Sequence, residues 1–305
     1  MPVLKLYPNG LTGGVPPRVL NHAPVLRGDC KGWTLRSSRG NTRFLYSVLT
    51  PELPVSAIGV PLLGLSGSLT LRDCPPSHDD WKTLREAFFV RLRRKGLYRL
   101  HWLTEWQKRG VPHLHFAAWF LQSVVVININ QPALSDSELA QVLSSLISAD
   151  WLSISSVYRS SGLSQVVKPM SNELGWLQYL SKHAARGAAH YQRAQGSIPS
   201  GWEGMTGRMW GHLGDFPTHE PLGLELDDCG WFRFRRIVRG WRCAQARSER
   251  GVSPGRIKSA RRMLCCSDFS LSRVRGVSEW ISLTLGLQIV HWISSCGHSV
   301  ESTIS

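Results

Sequence analysis

The chain has 305 residues, 42% of them hydrophobic, which is enough to bury a sizeable core. Thirty-six Lys and Arg stand against 21 Asp and Glu, a net charge of +15 that calls for a polyanionic partner. Nucleic acid is the first such partner and an anionic membrane the second; a solubilising or structural basic surface is the plain alternative.

In chain order, residues 1–58 mix Gly, Pro and Arg without a clear period and read as an N-terminal basic segment, either an arm or part of the fold. LLGLSGSLTLRD (62–73) reads as a strand, ended by Cys74-Pro75-Pro76. Ser77 and Asp80 make a capping-box pattern, and Trp81, Leu84, Phe88 and Leu92 recur at helical spacing to about Lys95. YRLHWLTEW (98–106) and HLHFAAWF (113–120) alternate, and QKRGVP between them supplies the Gly and Pro of a turn, so the two predict an antiparallel hairpin.

SVVVINI (123–129) continues that strand or begins another. SDSELAQVLSSLISADW (135–151) predicts a helix, QVVKP (165–169) a short strand, and ELGWLQYLSKHAARGAAHY (173–191) a further helix. The fold class is therefore α+β, a central antiparallel sheet with helices packed on it. Past residue 220 arginines crowd and acids thin out, which places a boundary near Pro217 or Pro221. Three regions follow: 1–58, a core domain over 59–217, and an arginine-rich DNA-binding or partner-binding region over 218–305.

Seven cysteines (Cys30, Cys74, Cys229, Cys243, Cys265, Cys266, Cys296) are odd in number and lack C-x-x-C spacing. They read as reduced, mostly buried thiols rather than a disulfide framework or a zinc ribbon. MPVLKLYPNGLTGG has too short an apolar run for a signal peptide, and ISLTLGLQIVHWI (281–293) falls short of the roughly 20 residues a spanning helix needs. The expectation is a cytoplasmic protein with no membrane partner.

The chemistry concentrates in TEWQKRGVPHLHF (104–116). In a strand, alternate side chains share a face, so His113 and His115 point the same way with Leu114 opposite. Glu105 joins them only if it lies opposite an odd-numbered residue such as His113 or His115, a register that also gathers Trp102, Trp106, Leu114 and Phe116 on the core side. Two imidazoles and one carboxylate make a three-ligand metal face with positions left open; the plain alternative is a pair of surface histidines.

Tyr179 and Lys182 share a helix face three residues apart, an arrangement that alone fits any amphipathic helix. Lys108 and Arg109 at the turn, and Arg233, Arg235, Arg236 and Arg239 in the tail, are candidate phosphate contacts. Trp202, Trp210 and Trp231 are candidates for stacking on unpaired bases, with core packing as the alternative for each.

Together, SLTLRD (68–73), E-x-Q-K-R-G-x-P-H-x-H (105–115) and Y-x-x-K (179–182) resemble the rolling-circle replication initiators of the HUH endonuclease superfamily, most closely those of filamentous bacteriophages. The resemblance spans roughly residues 60–215. It implies an enzyme in which His113, His115 and Glu105 hold Mg²⁺ or Mn²⁺, Tyr179 is the nucleophile and Lys182 its helper. It further implies nicking of single-stranded origin DNA through a 5′-phosphotyrosine, a 3′-OH primer and later rejoining, with a host helicase and polymerase as partners in the bacterial cytoplasm.

The chain departs from other members of that superfamily. No third histidine closely follows His115, as relaxases would require. Tyr191 lies twelve residues after Tyr179, off its helix face, which favours a single-tyrosine enzyme. No G-x-x-x-x-G-K-[ST] is present, so the motor is expected from the host. The competing readings are a non-catalytic nucleic-acid-binding module, a single-tyrosine HUH transposase and a structural basic protein.

Overall fold

The computed structural model describes residues 1–16, 31–130, 134–185, 192–202, 204–248, 271, 276–297 and 299–303. Its first half comprises β1 (Val3–Leu6), β2 (Gly10–Gly14), α1 (Leu35–Ser47), β3 (Leu62–Thr70), α2 (His78–Arg94), β4 (Leu97–Trp106), β5 (Pro112–Leu121) and α3 (Gln122–Ile129). Then follow α4 (Asp136–Ile154), β6 (Val166–Pro169), α5 (Glu173–Ala185), β7 (Trp210–Leu213), β8 (Leu222–Leu226), α6 (Asp228–Ser248), β9 (Val277–Trp280), α7 (Leu283–Ser295) and β10 (Val300–Thr303). The fold is α+β, with two five-stranded antiparallel sheets where the sequence pattern predicts one.

Chain contacts divide these elements into two units. The central unit holds the stretch up to Asn41 that begins α1, together with Thr50–Pro217. Its sheet runs β6-β3-β5-β4-β7. The predicted capping box starts α2: Ser77 Oγ accepts from the Asp80 amide, and the Asp80 carboxylate accepts from the Ser77 amide at 3.1 Å. A second box, Ser135 with Glu138, starts α4. The apolar stripe of α2 then meets the even-numbered face of the hairpin, with Phe88 against Phe116 (5.9 Å between ring centroids) and Phe89 against Trp102 (5.8 Å). A side chain at Gly67 would run into the Phe116 ring, so glycine is required there for that ring to cross the strand.

SVVVINI is a correction: it forms α3, not a strand. The ladder between β3 and β5 ends at Leu62↔Leu121, where Gln122 still donates to the Pro61 carbonyl. The chain turns into a helix that buries only Val125 and ends on Asn130 in the left-handed region.

The terminal unit takes the N-terminal strands, Thr42–Leu49 and the chain from Thr218 onward. Its sheet order is β10-β8-β1-β2-β9. The stretch that reads from sequence as an undecided basic segment thus contributes β1 and β2 to a sheet that the C-terminal region completes, with Leu4 opposite Leu224 and Leu6 opposite Leu222. Its core joins Leu4, Leu6, Leu11 and Leu226 to Trp231, Phe234 and Val238 of α6 and to Val290 and Ile293 of α7.

Four cysteines are described, all free, and none is buried. Cys229 and Cys296 are exposed because they fall at the first turn of α6 and the C-cap of α7, which corrects the expectation of buried thiols for these positions. Cys30, Cys265 and Cys266 lie outside the described residues. Among the described residues, no helix is long and apolar enough to cross a membrane.

Candidate metal centre and tyrosine site

The hairpin of β4 and β5 builds the site through its register. Glu105 pairs with His113 and Leu103 with His115, so the carboxylate and both imidazoles fall on one face. The turn that sets this register closes through Gln107 and Val111, with Gly110 at a φ of 78° that a side chain would resist. On the other side of β5, β3 places Ser68 opposite His115 and Thr70 opposite His113.

One donor atom from each of Glu105, His113 and His115 lies within 4.8 Å of the others, and all three residues are buried. The two Nε2 atoms are 2.7 Å apart, and His115 Nε2 is 3.5 Å from Glu105 Oε2. Ser68 Oγ meets His115 Nδ1 at 2.6 Å; when Nδ1 carries the proton and donates it to the hydroxyl, Nε2 presents its lone pair to the shared space.

Two nitrogens bound to one ion, each at about 2.1 Å, are separated by no more than about 4 Å, so the spacing suits a shared cation. The donor set, two neutral nitrogens and one oxygen with further positions open, fits a divalent ion. The cluster could therefore hold a metal.

Arg193, which no pattern in the sequence marks, completes the centre. Its Nε and Nη2 both stand 2.8 Å from Glu105 Oε1, and its guanidinium lies 3.8 Å over the Trp33 ring. Both partners of the ion pair are fully buried. Burial pushes the Arg193 guanidinium down from its ordinary pKa, and the Glu105 carboxylate opposes that shift. Trp33 is tied in turn to β4 by its Nε1, which donates to the Thr104 carbonyl at 2.8 Å. The Glu105 carboxylate is thus divided, one oxygen facing Arg193 and the other His115. The only signal available beforehand was general: a buried carboxylate requires a cationic or hydrogen-bonding partner.

Tyr179 comes to the same place from α5, which is anchored by the fully buried Leu177 and Leu180. Its ring stands edge-on to His115 at 5.7 Å between centroids and stacks on Trp176 at 5.0 Å. Lys182 is three residues further along α5, and its side chain lies outside the described residues, as does Tyr191.

The basic candidates are distributed differently. Lys108 is exposed at the hairpin turn. Arg109 clamps the turn to the end of β3, donating to the Leu71 and Arg72 carbonyls and to Gln107. Arg233, Arg235, Arg236 and Arg239 stand on α6 in the terminal unit, where Arg233 lies 4.7 Å over Trp292 and Arg236 and Arg239 are exposed. Of the three tryptophans, Trp202 and Trp231 are core residues, 1% and 2% exposed, packed against Trp106 and Phe234, so for these two the core-packing alternative holds rather than stacking. Trp210 is half-buried.

Comparison with known proteins places the chain in a family. The chain is 40% identical over 308 residues to a provisionally named replication protein of Xylella fastidiosa strain 9a5c, covering 99% of this chain and all of the relative. It belongs to that family of replication proteins. A second member, from X. fastidiosa strain Temecula1, is 40% identical over 93% of this chain and all of its own. The replication-associated protein G2P of Pseudomonas phage Pf3 is 40% identical over 272 residues, 89% of each chain. No protein-family profile and no solved structure matches this member of the replication-protein family.

Proposed function

We propose that the chain initiates rolling-circle replication by nicking single-stranded origin DNA through a metal-dependent tyrosine attack of the HUH endonuclease kind. The observation that carries this reading is Tyr179 standing against His115, at the rim of a buried Glu–His–His cluster, in a chain of the replication-protein family. A purely structural sheet gains nothing from three converging buried polar groups, which cost free energy unless they are partnered.

His113, His115 and Glu105 would hold a divalent ion, Mg²⁺ or Mn²⁺, and when bound it supplies Lewis-acid stabilisation of charge on the scissile phosphate. The remaining steps belong to the chain. The Tyr179 phenol loses its proton and its oxygen attacks phosphorus; the bond to the 3′ oxygen breaks, and that oxygen takes up a proton to become the primer hydroxyl. The DNA is left joined to Tyr179 through its 5′ phosphate. Lys182, on the same helix, favours the phenolate or the anionic phosphate. When synthesis returns to the origin, the new 3′-OH attacks the phosphotyrosine, restores the phosphodiester and frees the tyrosine.

Lys108 and the exposed arginines of α6 would add salt-sensitive affinity for the backbone. Residues 59–217 would act as the nuclease domain and 218–305 as a DNA-binding or partner-binding region, with unwinding and synthesis left to a host helicase and polymerase in the bacterial cytoplasm.

The test is cleavage of supercoiled DNA carrying the origin of the replicon that encodes the chain, with Mn²⁺ or with EDTA. The expected result is a metal-dependent nick with protein covalently attached to the 5′ end, reduced at least about 10³-fold by Tyr179→Phe and by His113→Ala. A covalent adduct formed by Tyr179→Phe would remove the tyrosine from the mechanism. Binding without nicking under any divalent metal would leave a non-catalytic nucleic-acid-binding module.

A further inference from the structure

We propose that a cavity at the β7 edge of the central sheet is a subsite for one nucleotide of the single strand that crosses the metal centre. The cavity measures about 470 Å³, within the range of small-ligand sites. Arg36 and Ser37 of α1 and Arg208, Trp210, Gly211 and His212 at β7 line it, and no acidic residue does. Both arginines are exposed, and Trp210 is half-buried.

The position follows from strand register. Trp210 pairs with Leu103 and His212 with His101, and cross-strand partners share a face. Trp210 and His212 therefore stand on the same face as Glu105, while Gly211 points the other way, where a side chain would meet Trp102. The contact between the Trp210 and His101 rings, 6.2 Å between centroids, agrees with that assignment. Trp210 is one strand over and two residues along from Glu105, a separation on the order of 8 Å. The two places are also joined through the chain: Trp33 covers the Arg193 guanidinium at the metal centre, and the adjoining Gly32 lines the cavity.

Two arginines and a tryptophan lining one cavity suit a phosphate next to a base: guanidinium groups neutralise the backbone, and an indole can stack on any base. The inference rests on the proposed function for what passes between the two places. The same chemistry would accept a free nucleotide, and the strand is favoured because the cavity shares its sheet face with the triad.

The test uses the full-length Tyr179→Phe chain and the fluorescence anisotropy of a labelled oligo-dT of about twenty nucleotides, longer than the usual span of one single-strand-binding domain. The double substitution Arg36→Ala/Arg208→Ala should weaken binding about tenfold and make the logarithmic salt dependence shallower by about 1.4, the value for two lost phosphate contacts. The control Arg93→Ala/Arg94→Ala, two exposed arginines on α2, should weaken it less. Trp210→Ala should cost at least about fivefold on oligo-dT and nothing on an abasic strand of equal length, with Trp210→Phe retaining the affinity.

Unchanged affinity and salt slope in the Arg36/Arg208 variant would overturn the subsite. So would equal losses from Trp210→Ala on both strands, which mark a structural tryptophan, and so would displacement of the oligonucleotide by dTMP at comparable affinity, which marks a free-nucleotide site. The outcome is separable from nicking. If the wild type fails to cut but the arginine and tryptophan losses appear, the subsite stands and the strand-cutting reading falls; if it cuts and the losses are absent, the reverse holds.

Discussion

The two sheets have equal strand numbers and the same antiparallel pairing, yet they bury different chemistry. In the terminal unit the interior is Leu4, Leu6, Leu11, Leu226, Trp231, Phe234 and Ile293, an apolar core that earns its keep by area removed from water. Among the described residues, every buried arginine, histidine and glutamate lies in the central unit: Arg85, Arg99, His101, Glu105, His113, His115 and Arg193. Some of these are architectural. Arg99 donates to the Glu52 and Val55 carbonyls, and Arg85 lies 4.0 Å over Trp102. The Glu105–Arg193 pair and the two facing histidines are harder to justify by stability, because an apolar replacement of a buried ion pair is often neutral or stabilising. One sheet buries a mainly apolar core, with Arg242 and Glu279 paired at its edge strand β9, and the other buries a cluster of ionisable groups as well.

That contrast can be broken in order of expected effect. Phe234→Ala, which empties a fully buried site beside Trp231, should destabilise the protein by about 3–5 kcal/mol in denaturant unfolding while leaving Mn²⁺ affinity unchanged. A parallel loss of Mn²⁺ affinity in the folded variant would end the separation of roles. Arg193→Lys keeps the charge but not the two-atom grip on Glu105, and calorimetric titration should show Mn²⁺ binding weakened about 10- to 100-fold. An unaltered isotherm would mean that Glu105 is oriented without Arg193.

A third effect is a pH dependence from His101. Burial, with a smaller contribution from His212, depresses its pKa from 6.5 to about 3. The folded state therefore holds it neutral while the unfolded state takes up a proton below pH 6.5. Its contribution is complete above that pH and is lost as pH falls toward 3, with a slope of up to about 1.4 kcal/mol per pH unit. His101→Gln should flatten the stability profile between pH 6 and 4 by about one proton, read from urea unfolding across that range. An identical slope in the variant would assign the acid sensitivity elsewhere. Smallest is Ser77→Ala, which removes one arm of the α2 capping box and should cost about 1 kcal/mol with no change in metal affinity.

What could be read early and what could not divide along the same physical line. The α2 capping box and the β4–β5 hairpin with its odd-numbered polar face depend on residues a few positions apart, and short-range periodicity states them directly. SVVVINI misleads because its β-branched run has strand propensity, while in the fold the β3–β5 ladder stops at Leu121 and the run forms α3. Trp202 and Trp210 look alike in sequence; only packing makes one a core residue and leaves the other facing a cavity.

By itself, then, the sequence determined the α+β class, the β4–β5 hairpin and the single face shared by Glu105, His113 and His115, since the two-residue period of a strand requires it. Tertiary structure alone decided that the two ends of the chain meet in a second sheet, that Tyr179 reaches His115, and that Arg193 and Trp33 close around Glu105. Those contacts join residues far apart along the chain, and their partners are selected by burial and charge balance in the folded interior, where no local pattern can announce them.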